Sequence, residues 1–349
     1  MAPAGPWSDL PSELLESIAN ADSVSLRDYA SLRGVCTAWR SALEPPSYPC
    51  LLSLADDKGS YSASVFSLTM RRPFHLHTVS STLISEPMFR SRARVVGSSN
   101  GRFAVAVDHS SPSGELKTAF LNCWTKKIFL LDPRAGKEVE LAAPTGTLNS
   151  KSSPCHEYVH KVVFPPGPDD GTVVALYDRK YIACIDVATS RDKWKTIYVG
   201  ASNTEYLADV TFGDDGKLYC LDSNGSLYQV WRNNRVTVTA GGFTMPVDEI
   251  LVLRYNPGCW PCWDAVKDLG GCSVFVDKSN SSAVVRAAGV PGVRADCVYW
   301  INWMRVPMVC DIATGTSKPY VLPYGTHKGG NCWYFSHDDM TGINGDQRN

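Results

Sequence analysis

Two short patterns in the chain combine residue types that are able to carry out metal or redox chemistry. The segment His156–His160 reads His-Glu-Tyr-Val-His and matches H-E-x-x-H, in which two histidines bind zinc and the glutamate acts on a bound water. Cys259 and Cys262 have the C-x-x-C spacing of thiol redox sites and of zinc knuckles. Each pattern works only on a particular secondary-structure element, so the flanking sequence decides whether that chemistry is available.

The H-E-x-x-H pattern needs a helix, because only a helix brings both histidines to one metal ion. Here Pro154 precedes the pattern, an apolar run Val162–Phe164 follows it, and Pro165 closes the segment, which is typical of a strand. In a strand, residues four apart lie about 13 Å from each other, too far for one ion. No third ligand is identifiable either. We therefore predict no metal site and no catalytic role here.

The C-x-x-C pattern of a redox protein opens a helix within an alternating strand–helix pattern, and that context is missing here. A zinc knuckle needs a second pair of ligands, for which Cys272 and Cys297 are candidates only by loose spacing. We predict that Cys259 and Cys262 are a reduced pair in a loop, with zinc or a reversible disulfide as the alternatives. Most of the 12 cysteines are dispersed within apolar runs, so we predict reduced core thiols rather than a disulfide framework.

Length and composition limit the class of protein. The 349 residues exceed the size at which one core usually stops growing, so two units are expected. A formal net charge of -1 provides no overall attraction to nucleic acid or to an anionic membrane. No apolar run approaches the roughly 20 residues that span a bilayer, and the N-terminus lacks the pattern of a secretory signal. We expect a cytoplasmic or nuclear protein with no nucleic-acid or membrane partner.

Residues 6–44 carry the strongest helical pattern of the chain. Leu10, Leu14, Leu15 and Ile18 fall on one face of a first helix, with Pro11 at its first position. The segment Ser25–Asp28 is an N-cap with an acid three residues later and begins a second helix that we expect to stop at Gly34. Val35, Trp39 and Leu43 then recur at helical spacing. The pattern predicts three short helices.

From about residue 50, short β-branched and aromatic runs alternate with turn residues, which predicts an all-β unit. An apolar triplet followed by an aspartate and a turn recurs five times, and the first and last of these aspartates are 179 residues apart, a mean of about 45 per interval. The five are Asp132, Asp186, Asp222, Asp277 and Asp311. We interpret them as hairpin-turn residues rather than catalytic carboxylates. About 45 residues per four-stranded blade predicts a β-propeller of six or seven blades.

The N-terminal segment resembles the plant F-box signature. The residues that carry the resemblance are Trp7–Ile18, with its Leu-Pro and Glu-Leu-Leu, and Leu32–Arg40, with its Val-Cys-x-x-Trp-Arg. The remainder resembles the plant KIB-type β-propeller domain, through Val96–Arg102, Leu130–Pro133, Leu269–Val276 and Pro291–Trp300. The segment Trp300–Trp303 departs from the Phe-Thr-Asp-Asp usual for that family, so the role of those acids does not transfer.

The resemblance implies an F-box at residues 1–46 and a KIB-type propeller at 47–349, with a short disordered C-terminal tail. It implies a non-catalytic substrate-recognition subunit of an SCF-type ubiquitin ligase without cofactor or metal. The F-box would bind a Skp-family adaptor, and through it a cullin–RING ligase, while the propeller would bind a target protein. Adaptor contacts would fall on Leu10, Pro11, Leu14, Leu15, Ile18, Leu32, Val35, Cys36, Trp39 and Arg40.

Physical reasoning also favours a partner for this segment. About forty residues in three helices cannot enclose all of their large apolar side chains, and a surplus apolar face in a soluble protein usually marks an interface. The first alternative is that this face packs on the protein's own propeller, as the degenerate cap of a stand-alone ligand-binding propeller or enzyme. The second is a scaffold that binds the adaptor but never a cullin.

Overall fold

A computed structural model describes most of the chain. The described residues are 6–21, 24–43, 49–57, 60–76, 90–99, 101–110, 123–133, 137–144, 158–166, 171–189, 193–199, 206–213, 215–223, 226–231, 234–239, 250, 252–255, 263–278, 282–302, 304–321 and 330–335. The expected disordered tail, at 336–349, lies outside this set, as do Cys259 and Cys262.

The chain begins with a 3₁₀ turn, Pro6–Asp9, and three short helices. These are α1 (Ser12–Ala19), α2 (Leu26–Gly34) and α3 (Thr37–Ala42). The predicted cap of α2 is confirmed: the Ser25 hydroxyl accepts a hydrogen bond from the Asp28 amide at 3.1 Å, and the Ser25 amide donates to the Asp28 carboxylate at 3.2 Å. No helix in the described part of the chain is long and apolar enough to cross a membrane.

Strands make up the rest of the described fold, and we number the blades in chain order. Blade 1 contains β1 (Cys50–Asp57), β2 (Ser60–Ser67), β3 (Arg72–His75) and β23 (Gly330–Tyr334). Blade 2 contains β4 (Arg90–Ser99), β5 (Arg102–Ser110), β6 (Cys123–Asp132) and β7 (Lys137–Ala142). Blade 3 contains β8 (Val159–Val163), β9 (Thr172–Tyr177), β10 (Tyr181–Asp186) and β11 (Lys195–Val199). Blade 4 contains β12 (Leu207–Phe212), β13 (Leu218–Asp222), β14 (Leu227–Trp231) and β15 (Asn234–Thr239).

Two further sheets follow. A two-stranded sheet pairs β16 (Val252–Tyr255) with β17 (Trp263–Val266). Blade 5 has the strand order β19-β18-β20-β21-β22, and its strands are β18 (Cys272–Val276), β19 (Ala283–Arg286), β20 (Cys297–Ile301), β21 (Pro307–Asp311) and β22 (Thr316–Pro319). Within this blade β18 and β20 run parallel, whereas all other paired strands are antiparallel in the described sheets.

The ring is closed by strands from the two ends of the propeller. The last strand, β23, pairs with β1 in register from Cys50 opposite Tyr334 to Leu54 opposite Gly330. In sequence around the axis, β23 contacts β4, β4 contacts β8, and β8 contacts β12. These four strands therefore line the inner side of the ring.

Burial on both faces explains the continuous apolar run of β9. Val173, Ala175 and Tyr177 pack in the core shared with blade 2, whereas Val174 and Leu176 pack in the core shared with blade 4. Because successive strand residues point to opposite faces, a strand held between two neighbouring blades must be apolar at every position. The propeller is thus built from cores that lie between blades.

Our expectation of six or seven blades is wrong, because the propeller has five. Asp277 follows β18 and Asp311 ends β21, so two matches to the aspartate repeat fall in one five-stranded sheet. The described residues between blades 4 and 5 form only the two-stranded sheet. Dividing the length of the β-rich unit by the mean repeat therefore overestimated the number of blades.

Three of the repeat aspartates act as turn residues, as interpreted from the sequence. The Asp186 carboxylate accepts hydrogen bonds from the Ala188 amide at 2.9 Å and the Thr189 hydroxyl at 2.8 Å. Asp222 accepts from the Ser226 amide, and Asp311 from the Ala313 amide. Asp277 differs, because its carboxylate accepts from the amide of Trp333 in β23, 2.8 Å away. That bond joins the last blade to the strand that closes the ring.

Candidate functional site

The first candidate site is the helical unit, defined here as Pro6–Leu43, which is attached to blade 1. Leu15, Ala19, Leu26, Tyr29, Trp39 and Leu43 are buried in one core with residues of blades 1 and 2. The Tyr29 ring meets Phe74 of β3 edge-on, with centroids 5.3 Å apart, and the Arg72 guanidinium lies over both rings. Arg72 also donates a hydrogen bond to the Asn20 side chain. Aromatic and cation–π contacts thus hold one side of the unit on the propeller.

Other apolar side chains of the helical unit are exposed to solvent. Trp7 is 68% exposed, Leu14 53%, Ile18 46% and Val35 57%. These four are half of the eight exposed large hydrophobic residues in the described chain, although the unit forms a small part of it. We call them the helical docking face. Apolar exposure concentrated in so short a segment is typical of an interaction surface.

The ten predicted adaptor contacts all lie on the helical unit but divide by burial. Leu15 and Trp39 are buried, and Leu10, Leu32 and Cys36 are half-buried. The remaining five, Pro11, Leu14, Ile18, Val35 and Arg40, are exposed. The sequence suggested two interpretations of this segment, an adaptor-binding surface and a cap packed on the propeller. Each describes part of the unit, because some of its apolar residues pack in the core shared with the propeller and others are exposed. Which of the ten contact an adaptor stays a prediction.

Trp7 was not among the predicted contacts, although it opens the quoted motif. Its carbonyl oxygen accepts a hydrogen bond from the Trp39 indole N–H at 2.8 Å, which fixes the 3₁₀ turn against α3. The Trp7 side chain is left as the most exposed aromatic of the unit. The sequence did contain a signal for a role of Trp7 in binding. This tryptophan stands just before the first helix, in a segment that has more large apolar residues than three short helices can bury.

The second candidate site is a pocket of about 510 Å³ on the inner side of the ring. Its wall includes Arg94 of β4, His160 and Lys161 of β8, and Asp209 of β12. The Lys161 side chain is 3% exposed and its ammonium lies 2.6 Å from the Asp209 carboxylate, which links blades 3 and 4. Inner strands of three consecutive blades thus bring charged side chains to one cavity.

His160 is the one potential metal ligand of the H-E-x-x-H pattern within the described residues, and it lies in β8, as the strand interpretation predicted. Burial lowers the pKa of its imidazole to about 4, with further lowering by the nearby Arg179 and Arg94. His160 is therefore neutral at physiological pH. Among the described residues, no group of three or more histidine, cysteine or acidic side chains is placed to hold a metal ion.

Protonation of His160 should couple stability to pH. Its folded pKa of about 4 lies below the ordinary value of 6.5, so the unfolded chain binds the proton more readily. The stabilisation is complete above pH 6.5 and is lost as the pH falls toward 4, by about 3 kcal/mol in all. Urea unfolding of wild type and His160→Gln at pH 7 and pH 4 measures it, and the variant should lose less stability on acidification. Equal losses would contradict the assignment.

Eight cysteines of the described residues are free thiols, as predicted for core cysteines. Cys272 and Cys297, the loose-spacing candidates for a second zinc pair, lie at corresponding ends of the parallel strands β18 and β20. Burial raises the pKa of the Cys332 thiol well above its ordinary value, with the Asp277 carboxylate adding to the shift. A thiol with a raised pKa is a poor nucleophile and a poor metal ligand.

Comparison with known proteins identifies the class of propeller. A family model described as KIB1-4 beta-propeller matches residues 65–247 and 223–340. No curated protein sequence matches the chain.

Solved structures similar to this chain include YCF48 from Cyanidioschyzon merolae, at 13% identity, TM-score 0.33, and coverage of 56% of this chain and 61% of that one. Puromycin hydrolase is similar at 11% identity and TM-score 0.33, with coverage of 80% of this chain and 47% of the hydrolase. Raptor from Chaetomium thermophilum is similar at 13% identity and TM-score 0.36, with 83% and 21% covered. The chain spans less than two thirds of each of these proteins. Likeness at these scores carries no information on activity.

Proposed function

Because the chain belongs to the KIB1-4 beta-propeller family, we propose that it is the substrate-recognition subunit of an SCF-type ubiquitin ligase. In this proposal the helical unit binds a Skp-family adaptor, which connects to a cullin–RING ligase. The propeller binds the target protein and performs no chemistry itself. The proposed location is the cytoplasm or nucleus.

The observation that carries the proposal is the division of the helical unit into two sides. Its inner side is held on blade 1 by Leu15, Tyr29 and Trp39, so the unit has a fixed position on the propeller. Its outer side exposes Leu14 and Ile18, one helical turn apart on α1. A cap that only covered the propeller would gain no stability from apolar side chains that remain exposed to solvent. This arrangement presents an apolar surface while keeping the propeller at a constant orientation, which a receptor subunit needs.

The resemblance of Trp7–Ile18 and Leu32–Arg40 to the F-box signature supports a Skp-family adaptor as the partner. The F-box role rests on those residues and on the exposed helical docking face, whereas the family match covers the propeller. A β-propeller of this family is suited to protein interaction, and the target would bind loops that vary between proteins on a shared scaffold.

The proposal predicts that Leu14→Asp weakens adaptor binding roughly 30-fold or more, the 2 kcal/mol that marks an interface hot spot. The full chain and a purified Skp-family adaptor are titrated by calorimetry. An aspartate in the first turn of a helix is tolerated, so the variant should remain folded. Val284→Asp is the matched control, because Val284 is also apolar and 46% exposed but lies in β19 of blade 5. The control should bind like wild type.

Two outcomes would overturn the proposal. One is that folded wild type does not bind the adaptor. The other is that the adaptor complex, once formed, fails to join a cullin–RING assembly in reconstitution, which would identify the adaptor-binding scaffold considered above. Trp39→Ala is unsuitable as a test, because Trp39 is 8% exposed and its truncation would destabilise the core.

A further inference from the structure

The pocket on the inner side of the ring carries an excess of positive charge. Five cationic side chains line it: Arg94, Lys161, Arg179, Lys278 and Arg305. The carboxylates of Asp209 and Asp277 line it too, and Asp108 lies behind Arg94. Even if each of these three carboxylates neutralises one cation, two positive charges remain among the described residues of the wall. A cavity walled by protein focuses such a field, because its low dielectric screens less than water.

Lys161 and Arg94 have assigned partners within the wall. The Lys161 ammonium lies 2.6 Å from Asp209, and the Arg94 guanidinium lies 2.5 Å from Asp108 and over the ring of Tyr158. These two cations are positioned by the fold. Arg179 and Lys278 form no ion pair with a carboxylate among the described residues, and both are exposed. They are the cations most able to meet a ligand.

The turn that carries Arg179 adopts an unusual backbone conformation. Asp178 and Arg179 have φ of 50° and 51°, in the left-handed region that favours glycine. The Leu207 amide of blade 4 donates a hydrogen bond to the Arg179 carbonyl oxygen at 2.7 Å, and this holds the turn against the next blade. Strained backbone at non-glycine residues persists where the surroundings fix it, often beside a binding site. Here it places a guanidinium at the pocket.

His160 lines the same pocket. Burial is the largest cause of the lowered pKa of its imidazole, and the nearby charges of Arg179 and Arg94 lower that pKa further. A neutral imidazole can donate one hydrogen bond to an anion without adding charge. The pocket therefore combines cations at its wall with a neutral donor.

We propose that this pocket binds a small organic phosphate. A cavity of about 510 Å³ is within the range of small-molecule sites, roughly 300–1,000 Å³. One phosphate group carries a charge close to -2 and matches the excess of two cations. One guanidinium can donate two parallel hydrogen bonds to two oxygens of a phosphate, whereas an ammonium binds a phosphate as a point charge. The site lies on the inner side of the ring, apart from the helical docking face, so it goes beyond the proposed function and does not depend on it.

Titration calorimetry of the full chain with inorganic pyrophosphate tests the proposal, with citrate as a polycarboxylate comparison and sodium chloride at matched ionic strength. Pyrophosphate should bind measurably and at least about tenfold more tightly than citrate. Arg179→Gln and Lys278→Gln should each weaken pyrophosphate binding about tenfold, the effect of one charge-assisted hydrogen bond. Lys318→Gln, on the exposed strand β22, is the control and should bind like wild type.

Three results would overturn the proposal: no pyrophosphate binding, citrate binding of equal strength, or equal weakening by the Lys318 control. Arg179 and Lys278 are exposed, so both variants should melt like wild type, and circular dichroism checks this. If Arg179→Gln melts early, Lys278→Gln carries the test, and Arg179→Lys, which retains the charge but loses the paired donors, should weaken pyrophosphate binding by less than about tenfold.

Discussion

Replacing Asp108 by alanine should lower the free energy of unfolding by about 3–5 kcal/mol, the cost of leaving one member of a buried ion pair alone. Asp108 is 2% exposed, and its carboxylate accepts from the Arg94 guanidinium at 2.5 Å and from the Thr125 hydroxyl at 2.7 Å. Arg94 also donates to the Val159 carbonyl oxygen, and the Thr125 hydroxyl accepts from the Val159 amide at 3.1 Å. Removal of the carboxylate leaves the guanidinium buried between blades 2 and 3 without its counter-charge.

Urea unfolding of the full chain measures this loss. Glu140→Ala is the matched control, because Lys127 and Glu140 also lie 2.6 Å apart but are 36% and 50% exposed. An exposed pair contributes less than about 1 kcal/mol. The double variant Arg94→Met/Asp108→Leu should recover part of the loss, since it removes both buried charges. If Asp108→Ala cost no more than Glu140→Ala, the buried ion pair would not be a major contribution to stability.

The second large effect is expected for Gly97→Ala, which should cost about 3 kcal/mol or more. A Cβ at Gly97 would overlap the carbonyl oxygen of Val162 in β8 and lie 2.9 Å from its carbonyl carbon. Those atoms belong to the backbone of the neighbouring blade and cannot rotate away, so blades 2 and 3 would have to separate. Insertion of a methyl group into a packed interface typically costs 1–3 kcal/mol, and a backbone obstacle puts this site at the upper end.

Gly34→Ala is the control for Gly97→Ala. A Cβ at Gly34 would meet nothing within 4 Å, and Gly34 is the last residue of α2. Alanine there should be neutral or stabilising by up to about 1 kcal/mol, because glycine is a poor helix former. Thermal melting of both variants separates the steric effect from the general effect of replacing glycine. Equal melting temperatures would show that blades 2 and 3 tolerate the added methyl group.

Local patterns allowed much of the fold to be predicted. The helical spacing around Leu10 and Trp39 and the cap at Ser25 depend on residues within a few positions of each other, and the structure has α1, α2 and α3 there. The β-branched runs predicted strands, and the proline-flanked, β-branched context of His160 correctly excluded a helix. The family match confirms the resemblance to a KIB-type propeller, which rested on motifs spread along the chain.

Blade number and the two candidate sites depend on contacts between distant parts of the chain. The aspartate repeat could not reveal that β18 and β21 join one sheet, because strand pairing is set by packing rather than by spacing. Leu14 and Leu15 are adjacent apolar residues, yet one is exposed and the other buried, and only the docking of the helices on blade 1 decides which. The amino-acid sequence by itself determined the helices and strands and the family of the propeller. The tertiary structure alone decided the five-bladed closure, the exposed docking face and the cationic pocket, since each arises where separate blades or helices meet.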